Sequence, residues 1–239
     1  MQVAYEYILE ENIIIATAPD SFSDEEVIKG AKKIEDRLKK QIQDKEKYGA
    51  LEEVESIYSF VDGSEFLYKG EVMTLHISRD SDVDRIELEK NGDQFLAKLN
   101  GDIESENRKD IIREKMLEWY KIEAEKIIKD KVKEYFYIIE DHSDFGLNFS
   151  DIRISINDNK GTWGSANADV PSLNFTWHII MFEDEIIDTV VVHELAHYAV
   201  DSERNNMHTE EFYEFCRSII PNFDANMETI EANGHLRLF

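Results

Sequence analysis

The chain has 239 residues, 42% of them hydrophobic and 33% charged, enough for one large domain or two small ones around a real apolar core. Asp and Glu outnumber Lys and Arg by 52 to 27, a formal charge of −25, which repels phosphate backbones and anionic lipid surfaces and argues against general nucleic-acid or membrane binding. A single cysteine, Cys216, excludes a disulfide framework and a cysteine-ligated metal. The bases are unevenly spread: residues 151–239 hold 16 acids but only five Lys or Arg, namely Arg153, Lys160, Arg204, Arg217 and Arg237. With no transmembrane-length apolar run and no basic start followed by an apolar stretch, a cytoplasmic location is expected.

Two short strands are expected at the start, around Val3–Leu9 and Asn12–Thr17. A helix should follow, since Ser23 and Glu26 form a capping-box pattern and Val27, Ala31, Ile34 and Leu38 recur at helical spacing. Met73, Leu75 and Ile77 then alternate with polar residues as in a half-buried strand. Ile86 and Leu88 belong to another, and Asn91-Gly92 turns it back into Gln94–Leu99. Asp62-Gly63 and Asn100-Gly101 are further turn signals. From Ser105 to Asp141 a long helix is expected, with Ile112, Met116, Trp119, Tyr120, Ile127 and Tyr135 as a core-facing stripe. Ile152, Ile154 and Ile156 alternate as a strand, another covers Ser172 to about Ile179, and three helices close the chain at about Glu183–Val200, Glu210–Ile219 and Asp224–Glu231.

The chemistry is concentrated in the first of these helices. His193-Glu194-Leu195-Ala196-His197 is an H-E-x-x-H pattern. Histidines four apart lie one turn apart on the same helix face, so both imidazoles can reach one metal ion. Glu194 projects beside that ion, where it can take a proton from metal-bound water. Ile187, Val191, Leu195 and Tyr198 supply an apolar stripe for burial. Neutral imidazoles without thiolates point to Zn2+. A catalytic zinc has three protein ligands as a rule. His208 leads as the third, because the helix after it carries Phe212, Phe215, Cys216 and Ile219 on one face and can pack back to deliver it. Glu210 and Glu211 are the carboxylate alternatives. His76, His142 and His235 read as ordinary histidines, and His178 as a surface residue on a strand.

Four blocks in order, Trp163-Gly164-Ser165, Leu173-Asn174-Phe175, Val190-Val191-Val192-His193-Glu194-Leu195-Ala196-His197 and His208-Thr209-Glu210-Glu211-Phe212-Tyr213, resemble the YgjP-like metallopeptidase domain. That family's pattern runs R-W-G-S-C, L-N-W, V-V-H-E-L-x-H and N-H-S-x-x-F-W. SprT-type proteases are similar in general plan. The resemblance implies a zincin-type zinc peptidase, with His193, His197 and His208 as metal ligands and Glu194 as catalytic acid/base. It also implies a W-G-S strand beside the cleft whose edge can pair with an extended peptide. This chain departs from the pattern at Thr162 and Ala166, where the family has Arg and Cys, and at Tyr213, where it has Trp. Its segment between His197 and His208 is about five residues longer than the family's usual one.

The expected whole is α+β: an N-terminal β-rich portion with helices over residues 1–104, then a zincin-like metallopeptidase portion over 105–239 carrying the H-E-x-x-H helix. The expected substrate is a peptide or unfolded protein. The competing readings are a non-catalytic zinc-binding protein and a regulatory protease specific for one partner. Asp188 and Asp201 are candidates to orient the histidines. Tyr198 and Tyr213 are candidate oxyanion donors, each more simply structural.

Overall fold

The computed structural model describes residues 4–8, 13–17, 23, 32, 58–101, 107–141, 146–200 and 208–237. The chain divides into two compact units, Met1–Glu55 and Ser56–Phe239. In the first, β1 (Ala4–Ile8) and β2 (Ile13–Thr17) pair antiparallel, Ile8 opposite Ile13. These are the two strands expected there, shorter by two residues and by one. Of the helix expected from Ser23 only Ser23 and Lys32 are described; the rest of it, with His142 and Asp201, lies outside the described residues.

The second unit begins with a four-stranded sheet in the order β3 (Glu65–Tyr68), β4 (Glu71–Arg79), β6 (Gln94–Leu99), β5 (Ile86–Asn91). β4 and β6 run parallel and the other pairs antiparallel. Along β4, Met73 and Leu75 are buried and the flanking residues are not, as the alternation requires. Asn91 stands opposite Gln94, so Gly92 (φ +58°) and Asp93 make the two-residue turn. β3 and its turn were not legible in the sequence. Lys69 (φ +53°) and Gly70 (φ +78°) both occupy the left-handed region that a two-residue hairpin demands.

Helix α1 (Arg108–Glu140) lays Ile112, Met116, Tyr120, Ala124, Ile128, Val132 and Phe136, each four residues from the last, into the core. Trp119, Ile127 and Tyr135 are partly buried beside them. Tyr120 keeps its hydroxyl satisfied at full burial by donating to the Leu67 carbonyl at 2.7 Å. A second, three-stranded sheet has the order β7 (Arg153–Asn157), β9 (Ser172–Thr176), β8 (Gly164–Asn167), with β8 at its edge and antiparallel to β9.

β9 ends earlier than its expected limit near Ile179. Residues Trp177–Met181 form a 3-10 turn with all five side chains buried, which an alternating strand cannot do. The turn is held from outside: Lys69 N–H donates to the Ile180 carbonyl at 2.8 Å and Gly70 N–H to that of Met181 at 2.9 Å. His178, expected at the surface, is only 1% exposed. It stacks on Trp177 and shares a 2.7 Å hydrogen bond with Thr176 Oγ1.

Three helices complete the unit: α2 (Asp184–Ala199), α3 (Glu210–Ile219) and α4 (Phe223–Ala232). α2 buries Ile187, Val191 and Leu195 in the core shared with α1 and both sheets. On its other side Val192, Ala196 and Val200 meet Phe212, Cys216 and Phe223. Near its start Asp184 and Asp188 engage Lys131 of α1. Among the described residues no helix is long and apolar enough to cross a membrane.

Candidate metal centre

His193 and His197 fall on the exposed margin of the otherwise buried helix α2, one turn apart. His208 lies directly before α3. Thr209 caps that helix, its hydroxyl accepting from Phe212 N–H at 3.3 Å. The buried face of α3, Phe212 and Cys216, packs on Val192 and Ala196, and this contact carries His208 to α2. The three histidines end in one cluster. His208 Nε2 lies 3.1 Å from His193 Nε2 and 3.3 Å from His197 Nε2. Two nitrogens about 2.0–2.1 Å from a tetrahedral zinc sit roughly 3.3 Å apart, so the donor set and its spacing fit that ion. Among the described residues this is the one group of three or more His, Cys, Asp or Glu close enough to share a cation. Glu210 and Glu211 are not in it; Glu210 pairs with Arg217 at 2.7 Å.

Phe212 is fully buried beneath the cluster, its ring 5.1, 4.8 and 5.0 Å from those of His193, His197 and His208. Phe223 lies parallel to His193 at 6.1 Å. Nδ1 of His193 and of His197 are buried with no hydrogen-bond partner among the described residues. Asp188, one of the carboxylates expected to orient them, is committed instead to Lys131 and Tyr135 on α1. Among the described residues it is aromatic rings, Phe212 and Phe223, that pack against these imidazoles. Burial, with smaller contributions from the neighbouring imidazoles, lowers His193 from 6.5 to about 3 and His197 to about 4. Both stay neutral, the state in which imidazole binds a metal.

Glu194, the residue after His193, faces strand β8. It is 5% exposed, and burial raises its carboxyl from 4.5 to about 8. It lies against β8: a Cβ built on Gly164 would come within 2.6 Å of Glu194 Oε1. Thr176 N–H donates to the Trp163 carbonyl at 3.0 Å. With Gly164 opposite Phe175 and Ala166 opposite Leu173, the antiparallel alternation turns the N–H and C=O groups of Gly164 and Ala166 toward the open edge. The Tyr198 hydroxyl donates to the carbonyls of Ser172 (2.9 Å) and Asn167 (3.3 Å). It thus clamps both ends of the β8–β9 turn, the structural alternative for that residue.

The closeness of Gly164 to Glu194 was not read from the sequence. The available signal was a glycine inside a strand, which often marks close backbone approach. Phe212 was visible there only as one member of an apolar face.

The family model of the YgjP-like metallopeptidase domain matches residues 7–233. No curated protein matches the chain.

Proposed function

Because the chain belongs to the YgjP-like metallopeptidase family, we propose that it is a zinc peptidase in which His193, His197 and His208 hold the ion and Glu194 is the general base. The observation that carries this reading is the convergence of three Nε2 atoms, two from one helix turn and one from a separate helix entrance, with a buried carboxylate on the residue between the first two. A zinc ion bound there supplies Lewis acidity, lowering the pKa of a water toward neutrality and taking up oxyanion charge as a peptide carbonyl is attacked.

The chain's own residues supply the remainder. Glu194 accepts the water's proton on a carboxylate oxygen and returns it to the leaving amine. Burial raises the proton affinity of that carboxylate, so in its ionised form it is a stronger base than an exposed glutamate. The outward groups of Gly164 and Ala166 on β8 hold an extended peptide through its main chain. That mode of binding reads little side-chain information and suits unfolded segments. The Arg and Cys of the family pattern are Thr162 and Ala166 in this chain, so the proposed chemistry uses neither side chain.

The test is Glu194→Gln, assayed for zinc content and for cleavage of an unfolded protein. The expected variant keeps one zinc per chain and loses cleavage by a factor on the order of 10² or more. Full cleavage by a zinc-loaded variant would remove Glu194 from the mechanism. One zinc per wild-type chain with no cleavage of any unfolded substrate would favour the non-catalytic reading.

A further inference from the structure

Gly164 has an unusual neighbour. Its φ lies outside the left-handed region, so the backbone does not require glycine there. Space does: an added Cβ would fall 2.6 Å from Glu194 Oε1, 2.7 Å from its Cγ and 2.9 Å from its Cδ. These are closer than Cβ atoms approach in folded proteins, and they involve the stem of the side chain as well as its tip. By contrast, Gly63, Gly92, Gly101 and Gly146 have nothing within 4 Å of such a Cβ. Glu194 is nearly enclosed and has little room to swing aside.

We propose that Gly164 is the positioning residue of Glu194: the side chain it lacks is the slot in which the carboxylate rests against the edge strand. Its catalytic consequence rests on the peptidase reading above; the slot itself does not. The same residue points its N–H and C=O outward along the edge. Peptide backbone pairing with β8 and the proton acceptor therefore meet at one residue, and the strand sets the distance between them. No group on Gly164 reacts; it acts through Glu194.

A double-mutant cycle on the metal-free 239-residue chain separates this role from ordinary packing. In the wild-type background, Gly164→Ala should lower the melting temperature by on the order of 5 °C, the scale of an overpacked site in a chain of this size. In the Glu194→Ala background the Cγ, Cδ and carboxylate are gone. There the same substitution should be neutral or stabilising, since alanine loses less backbone entropy than glycine. If Gly164→Ala alone does not fold but Gly164→Ala/Glu194→Ala does, that is the same coupling at its limit.

Equal destabilisation in both backgrounds, or failure of both to fold, would overturn the proposal. In the metal-loaded protein, Gly164→Ala should still bind one zinc and lose kcat on the order of 10²-fold, as expected for a displaced catalytic group. Full kcat together with retained zinc would overturn the positioning role. A wild type that cleaves nothing while the cycle shows the coupling would remove the peptidase reading and leave the slot in place.

Discussion

Glu194, His193 and His197 share one helix turn, and burial moves their proton affinities in opposite directions. The metal-free chain should record this as a bell-shaped dependence of stability on pH. The histidines fall from 6.5 to about 3 and about 4. The unfolded chain therefore takes up their protons first, and their stabilisation, complete above pH 6.5, is lost as the pH falls through about 4 and about 3. The Glu194 carboxyl rises from 4.5 to about 8. Its contribution is complete below pH 4.5 and is lost as the pH rises through 8. Below 6.5 two histidines outweigh one carboxyl, and above it the carboxyl acts alone, so these groups place the maximum near pH 6.5. Urea unfolding of chelator-treated protein at a series of pH values checks this. Glu194→Gln should remove the alkaline limb, its stability relative to wild type improving from pH 4.5 to 8. Parallel profiles for the two proteins would contradict the assignment.

At the scale of elements, the turn between β3 and β4 links the first sheet of the second unit to the helix that carries the histidines. Lys69 and Gly70 donate to the carbonyls of Ile180 and Met181, and Lys69 Nζ reaches Asp184 at 3.0 Å. Gly70→Ala meets two obstacles: a φ of +78° and a Cβ 3.1 Å from that of Glu183. It should cost about 1–2 kcal/mol in urea unfolding of the full chain, and an unchanged midpoint would show that the turn can relax. This element also shows where sequence reading stops. α1 was legible because its period-four stripe is a local signal over nine turns. The H-E-x-x-H pair was legible because helix geometry alone brings His193 and His197 together. β3 has four residues and a turn with a lysine at positive φ, and its pairing is fixed by β4 and by carbonyls more than a hundred residues away. The 3-10 turn at Trp177–Met181 is likewise fixed by packing on all sides. His208 was placed by the amphipathic face of α3, a local signal, whereas the contact of Gly164 with Glu194 exists only after sheet and helix have met.

For the whole molecule, the charge of −25 and the scarcity of Lys and Arg over residues 151–239 set what approaches the candidate site. A negative field helps retain a dication and attracts cationic segments. At low ionic strength a basic peptide should be cleaved several-fold faster than its acidic counterpart of equal length. The difference should shrink as salt shortens the screening length to about 3 Å at 1 M. Faster cleavage of the acidic peptide at low salt would contradict this. Finally, the three imidazoles arrive from two separate pieces of chain. His193 and His197 are fixed in α2, while His208 precedes α3 and is separated from His197 by ten residues. A shared ion would act as a removable cross-link between the two helices, closing that loop much as a disulfide would. Its withdrawal would be felt first as local fraying of α3 and faster amide exchange there, before the core beneath α1 loosens.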